Sequence, residues 1–434
     1  MEIQTTASPL RHIPVPRWLP WSHGLILALT LSFWSMFLFK AEPLGYVYKR
    51  DFLCVYIGAK AVAQGQGSHL YDKHLQRELT DLAISPYRRS TLLPFVYPAY
   101  VAILLAPLGK FSLVKGFLIW TGINILVTGW LIKRLLQSPQ VFPGQRIAFL
   151  VAFFAWVPLQ LTLSQGQMGL ICALALSEAS LSMQRRKEWI AGCWLVVGIV
   201  KPQLIAVPLL ALFLLRSWRA VASFFMIACA LIFASFALVG FWITEYLRFL
   251  ADFTRGGKGL SMYPMAMQNW RGLVSTMLST NDGACGRCLL IALSLASVVL
   301  VVVIFWGHDV QPANSGRHST SRFDLAARFS IAIVIGLLVS PHLYFHDWVV
   351  AFPALTILFL AATEWSQQEN RYRWLATAIL WLIALSPFVG FAVQFGVWPT
   401  NTHVQLVPWF MGLLTLITVV RLQMANRRTP GVPA

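Results

Sequence analysis

Residues 189–215 read WIAGCWLVVGIVKPQLIAVPLLALFLL, an apolar run with a single charge, Lys201, followed at once by Pro202. A helix needs about 20 apolar residues to cross the roughly 30 Å hydrocarbon core of a bilayer. The run is too long for one span, and its proline removes a backbone donor and breaks a helix. It predicts two membrane-embedded segments that turn at Lys201. The rest of the chain has the same character. Of 434 residues, 57% are apolar and 12% are charged, about half the charge of a typical soluble chain. So few charges cannot cover a soluble globule of this size. The formal charge of +18, from 34 Lys and Arg against 16 Asp and Glu, would suggest a nucleic-acid partner in a soluble protein. Here the cations sit in short clusters between apolar runs, which excludes that reading and leaves an all-α polytopic membrane protein.

Working outward, further spans are expected at 22–40, 111–132, 147–163, 168–184, 218–240, 288–306, 328–341, 347–363, 374–391 and 404–421. The prolines of 94–108 predict a piece that dips into the membrane without crossing it. Basic residues favour cytoplasmic loops. They cluster at Lys133/Arg134/Arg146, Arg185/Arg186/Lys187, Arg216/Arg219, Arg317/Arg322/Arg328, Arg371/Arg373 and Arg421/Arg427/Arg428, whereas 164–167, 342–346 and 392–403 are nearly free of them. This pattern predicts about twelve spans in one domain, 22–421, between a cytoplasmic tail at 1–21 and another at 422–434. Two long loops, 41–93 and 241–287, fall outside. Residues 52–64 place Phe52, Val55, Tyr56, Ala59 and Ala63 at helical spacing, so an amphipathic surface helix is expected there. We find no internal repeat, which weighs against repeat-built transporters.

The chemistry-bearing residues gather on the outer side. Asp51 stands either as the cap of the 52–64 helix or as a carboxylate facing a substrate at the lipid–water boundary. Ser164-Gln165-Gly166-Gln167 is an interhelical turn or a set of amides for sugar hydroxyls. A charge inside a span costs about 2.5–3.5 kcal/mol on insertion scales, so Lys201 either snorkels to the interface or meets an anion such as a lipid phosphate. Met267 to Gly272 sets Arg271, whose guanidinium suits phosphate, beside Asn269 and Trp270. In Ser340 to Asp347, His342, His346 and Asp347 form a weak metal-ligand pattern or an interfacial hydrogen-bonding group. Of six cysteines, Cys54, Cys172, Cys193, Cys229, Cys285 and Cys288, only Cys285 and Cys288 have disulfide spacing, and no second pair completes a zinc site. Nucleotide-binding motifs are missing.

Taken in order, DFLCVYIGAKAVAQGQGSHLYD (51–72), FVYPAYVAILLAPLG (95–109), SQGQMGL (164–170), GIVKPQLIAVPLLAL (198–212), QNWRG (268–272) and SPHLYFHDW (340–348) resemble glycosyltransferase family 87. These are polyprenyl-phosphate-sugar-dependent membrane enzymes of the GT-C fold. Ala99 stands where the family often has a second proline, and Met168 replaces a common small residue. The resemblance implies an inverting transfer of a sugar, by analogy mannose, from a polyprenyl-phosphate donor to an acceptor hydroxyl. It aligns Asp51 with the family's first-loop base. The leaving phosphate then falls to Lys201, with Arg271 and His342 as further contacts. Gln165, Gln167, Gln203, Asn269 and Tyr97 are expected to bind sugar or acceptor. No cofactor or metal is implied. The expected partners are the lipid-linked donor, a glycolipid or polysaccharide acceptor and membrane lipid, and the expected setting is a bacterial inner membrane with the site on its periplasmic face. A flippase or transporter, an envelope-polysaccharide ligase and a non-catalytic scaffold are the rival readings. A flippase would need a polar central pathway, and a ligase a large late external loop.

Overall fold

The computed structural model describes residues 43–137, 150, 153–154, 156–255, 263–278, 283–306 and 322–368. Among them every regular element is helical. The expected spans at 22–40, 374–391 and 404–421 and both tails lie outside the described residues.

The first long loop folds into a short helix at Pro43–Val47 and two longer ones, α1 (Phe52–Ala63) and α2 (Lys73–Ile84), followed by an extended stretch and a further helix, α3 (Ala99–Gly109). α1 has the expected bounds but not the expected setting. Nine of its 12 residues are buried, so it is a core helix and not an amphipathic surface helix. The reason is α3, which packs along it in parallel and closes the face that sequence assigns to solvent. Their close approach depends on Gly109, where a Cβ would stand 2.6 Å from the Ala59 carbonyl oxygen and the Lys60 backbone. With 11 residues α3 is about 16 Å long, half a hydrocarbon core. α2 is the amphipathic member of the set. It is capped by Asp72, whose carboxylate accepts from His74 N at 2.7 Å, and Gln76, Leu79, Thr80 and Ile84 face inward.

α4 (Leu113–Leu136) then runs away from this layer. α5 (Val157–Gln165) and α6 (Gly169–Gln184) are joined by a turn in which Gly166 takes φ +67°, a conformation that glycine adopts without a Cβ penalty. Residues 189–215 break as their sequence predicts. α7 (Glu188–Val197) ends in a 3₁₀ turn at Gly198–Val200, Lys201 leaves helical geometry at φ −129° and ψ 79°, and α8 (Pro202–Leu214) begins on the proline. α9 (Trp218–Val239) follows. Ser223 of α9 donates to the Trp189 carbonyl at 3.0 Å, so α7 starts where α9 starts. α8 ends there too, one turn before Trp218. The chain therefore goes out along α7, reverses at Lys201 and returns along α8. Each arm is about 20 Å long, about two thirds of a hydrocarbon core.

The second long loop contributes α10 (Ile243–Thr254) and α11 (Trp270–Leu278). α12 (Ala284–Phe305), α13 (Arg322–Val339) and α14 (Ala351–Gln368) complete the described chain. Cys285 and Cys288 are free, exposed thiols at the start of α12. Among the described residues three helices, α4, α9 and α12, are long and apolar enough to cross a membrane. They fall on the expected spans at 111–132, 218–240 and 288–306. Leu126, Phe233 and Leu295 on them are more than half exposed, as lipid-facing residues are.

Among the described residues, the basic clusters at Arg134, Arg185 to Lys187 and Arg216 collect at one end of the bundle. Arg134, at the end of α4, makes a two-point ion pair with the buried Glu178 in the second half of α6. Arg185, Arg186 and Arg216 occupy the reversals that precede α7 and α9. A Gly109→Ala substitution should cost about 1–3 kcal/mol, the usual range for forcing atoms into a filled interior. Thermal unfolding in detergent would check this, with exposed Gly122→Ala in α4, which meets nothing within 4 Å, as a control that should hold or gain stability, because alanine favours a helix interior over glycine.

Candidate active site

At the end opposite those basic turns lies a cavity whose walls include Asp51, Tyr97, Gln167, Lys201, Gln203 and His342. Four helices begin at it: α1 after Asp51, α3 after Pro98, α6 after Met168 and α8 after Lys201. Helix N-termini carry partial positive charge and unpaired N–H groups, so the backbone alone makes this a setting for an anion.

Asp51 occupies the N-cap position of α1 but makes no capping bond. Its carboxylate instead accepts from Gln167 Nε2 at 2.7 Å, and its backbone N–H donates to Gln165 Oε1 at 3.3 Å. The cap reading of Asp51 therefore fails, because the side chain is aimed into the cavity. Lys201 is buried. Its ammonium donates to Gln167 Oε1 at 3.1 Å and to Asp347 Oδ1 at 2.5 Å. An ammonium has three N–H groups, so one stays available on the cavity side. Lys201 does not snorkel; a buried carboxylate holds it. Asp347 in turn accepts from Tyr344 N at 3.2 Å and lies 3.5 Å from His346 Nε2. The other His346 nitrogen is 4.0 Å from Asp51 Oδ2. Asp51, Gln167, Lys201, Asp347 and His346 thus form a closed polar ring in an otherwise apolar bundle.

Sequence offers Asp347 and His346 only as a weak metal-ligand pattern or an interfacial hydrogen-bonding group, and assigns neither a place in the site. Their signal was present in the His-Asp pair after Tyr344-Phe345, but nothing local says that a lysine 146 residues away would find the carboxylate. The 3₁₀ turn Phe345–Val350 is pinned from behind, where Thr162 Oγ1 donates to the His346 carbonyl at 2.8 Å and Trp156 Nε1 to the Trp348 carbonyl at 3.2 Å.

The remaining expected residues separate. Tyr97 and Gln203 line the cavity, and the Tyr97 hydroxyl donates to Gln167 Oε1 at 3.4 Å. Gln165 and Gln167 are engaged in orienting Asp51 and Lys201. Asn269 and Arg271 do not reach the wall, contrary to expectation. Asn269 Nδ2 donates to the Ser340 carbonyl at 2.6 Å, and Arg271 donates to the carbonyls of Pro341 at 3.2 Å and Thr254 at 2.9 Å. With Trp348 Nε1 donating to the Gln268 carbonyl at 3.0 Å, the QNWRG stretch is the backing of the 340–348 loop. A buried loop has to satisfy its carbonyls, and these side chains do so.

His342 is on the wall, with Nδ1 buried and unpartnered. Burial pushes its imidazole down to about 4, and burial lowers His346 as well. Both rings are neutral near pH 7, so His342 offers a hydrogen bond to a phosphate and not a charge. The arrangement sets a carboxylate, fit to accept a proton, on the same cavity as an ammonium and the N-termini of α3, α6 and α8, fit to receive an anion.

The model of glycosyltransferase family 87 matches residues 95–341, more than half of the chain. The chain belongs to this family. It is similar to a polyprenol-phosphate-mannose-dependent alpha-(1-2)-phosphatidylinositol pentamannoside mannosyltransferase of Mycolicibacterium smegmatis, at 26% identity over 85% of this chain and 82% of that protein. The protein of the same description from Mycobacterium tuberculosis is 25% identical over 76% of this chain and 71% of its own length. No solved structure matches the chain. A family 87 glycosyltransferase needs a nucleophile-activating group and a place for its leaving group, and the cavity holds a candidate for each.

The acid limb of stability should follow His342. An unfolded imidazole titrates near 6.5 and the folded one near 4, so the unfolded state takes up the proton first as pH falls. Stability should drop between those values by on the order of 3 kcal/mol and level off below them. His342→Asn should make this limb shallower in thermal unfolding in detergent, leaving the share of His346, which burial lowers too; an unchanged slope would assign the acid sensitivity to another group.

Proposed function

We propose that the protein is an inverting glycosyltransferase that moves a mannosyl residue from a polyprenyl-phosphate donor to an acceptor hydroxyl at the external face of a bacterial inner membrane, with both chain termini cytoplasmic. The observation that carries this reading is the Asp51–Gln167–Lys201 bridge, which holds a base and a cation apart on one cavity. Family membership and the donor named for both relatives support the donor class.

In the proposed step Asp51 takes the acceptor's hydroxyl proton, and the acceptor oxygen forms the new bond to the anomeric carbon. The bond from that carbon to the phosphate oxygen breaks on the opposite face. The leaving polyprenyl phosphate keeps the electron pair, and its charge is met by the free Lys201 N–H and the helix N-termini. Tyr97, Gln203 and His342 are placed to contact the sugar or phosphate. Removing a general base typically costs about 10²–10⁴-fold. Asp51→Asn can still accept the Gln167 bond, so it should fold normally and lose about that factor in transfer to acceptor. The test is radiolabelled transfer in liposomes with a panel of polyprenyl-phosphate sugars, and wild-type protein that neither transfers nor hydrolyses any of them would sink the proposal.

Lys201 needs a test that separates folding from chemistry. Lys201→Met alone leaves Asp347 buried and unpaired, a loss of about 3–5 kcal/mol. Pairing it with Asp347→Leu removes both charges and should restore most stability while activity stays at background. Recovery of activity in the double variant would assign Lys201 a structural role only.

A further inference from the structure

We propose that α10 is a hinged lid on the Asp51–Lys201 cavity, latched to α2 by the Lys73–Asp252 ion pair, that opens to admit substrate and shuts to keep water from the donor. The inference rests on the transfer reading above and adds what controls access to that site. A base able to take a proton from an acceptor hydroxyl can take one from water. The water oxygen would then bond to the anomeric carbon, its proton would pass to Asp51, and the leaving phosphate would keep the electron pair. The donor would be lost to hydrolysis. Closing a site excludes that water, and lids that do so open again for substrate and product.

α10 lies along the cavity. Tyr246 and Phe253, about two turns apart, both line it, while Leu247, Arg248 and Ala251 on the opposite face are exposed. Among the described residues no helix packs closely along α10, so side chains hold it. The near end is a pivot. Gly240 takes the chain off α9 at φ +75° and ψ −170° in open space, a conformation essentially confined to glycine. Trp242 then folds back, donating from Nε1 to Ser235 Oγ of α9 at 2.7 Å and packing on the rings of Tyr71 and Tyr100. Midway, the Tyr246 hydroxyl reaches the Val96 carbonyl at 3.3 Å. The far end is lightly fastened. Its Phe253 ring covers His342 at 5.6 Å, and the Thr254 carbonyl accepts from Arg271 Nη2 at 2.9 Å. The Lys73 and Asp252 side chains are 43% and 46% exposed, and ion pairs so exposed are weak. The post they meet on is firm, because Gln76 of α2 donates to the Leu70 carbonyl and accepts from Phe95 N, both at 2.8 Å. A swing about Trp242 gives up the far-end contacts and keeps the anchor on α9.

The full-length protein in phosphatidylcholine nanodiscs tests this with its own cysteines as probes. Cys54 is buried on the cavity wall, so N-ethylmaleimide reaches it when the cavity opens. Cys172, buried in α6 and off that wall, reports general unfolding. Asp252→Asn should speed alkylation of Cys54 at least about threefold, read by peptide mass spectrometry, with Cys172 unchanged. An unchanged Cys54 rate would remove the ion pair as a latch and overturn the proposal. Lys73→Cys with Asp252→Cys, bridged by a short bis-methanethiosulfonate, should slow Cys54 alkylation at least about tenfold, because the rate follows the population of the open form. Consumption of radiolabelled polyprenyl-phosphate mannose should fall to the same degree, and a reductant should restore both. Wild type carried through the same treatment controls for Cys285 and Cys288. If the bridge leaves Cys54 alkylation within about twofold, the cavity has another mouth and the lid falls. If alkylation slows while turnover persists, substrate does not pass under α10, and the proposal falls equally. If wild type neither transfers nor hydrolyses the donor, the transfer reading fails, and the Cys54 rates still decide the lid.

Discussion

The rest of the site depends on the ion pair between Lys201 and Asp347. An ammonium in an apolar bundle is costly, and it persists where a paired carboxylate and further hydrogen bonds replace its water. Asp347 supplies the charge and Gln167 a second acceptor. The pair joins the apex of the α7–α8 reversal to the loop between α13 and α14. Because Gln167 spends its oxygen on Lys201 and an N–H on Asp51, the same interaction fixes where the carboxylate points. Remove it, and the Asp51 carboxylate, the Lys201 ammonium and the 340–348 loop lose their common reference.

Helix ends do much of the remaining work. α1, α3, α6 and α8 all start at the cavity, so unpaired N–H groups and polar end residues are delivered together while the apolar helix bodies stay in the bundle. This separation lets a chain with 12% charged residues concentrate chemistry in one place. Its backing comes from side chains that never reach the wall. Asn269, Arg271, Thr162 and Trp156 saturate carbonyls of the 340–348 loop, and their polarity is spent on position.

Much of the bundle was legible in advance for a simple reason. Crossing a hydrocarbon core requires length and apolarity, both local properties, so α4, α9 and α12 stand out from composition alone. The break at Lys201-Pro202 was legible because proline acts on its own backbone. α1 was misread for the complementary reason. Its helical spacing is real, but whether Ala61 or Leu53 meets lipid, water or protein depends on α3, which arrives some 40 residues later. Asp51 was half legible. Its place before a helix suggested a cap, and only the arrival of Gln167 from another segment turned the carboxylate away from its own helix.

The sequence by itself determined that this is a helical membrane protein, where the chain reverses, and which polar residues an apolar setting had to explain. Its ordered motifs also carried the family. Tertiary structure alone decided which polar residues meet. It joined Lys201 to Asp347 across 146 positions, moved Asn269 and Arg271 from the wall to the backing, and laid α10 along the cavity. Pairing between distant segments depends on how helices pack, and packing is a property of the assembled bundle that no single stretch contains.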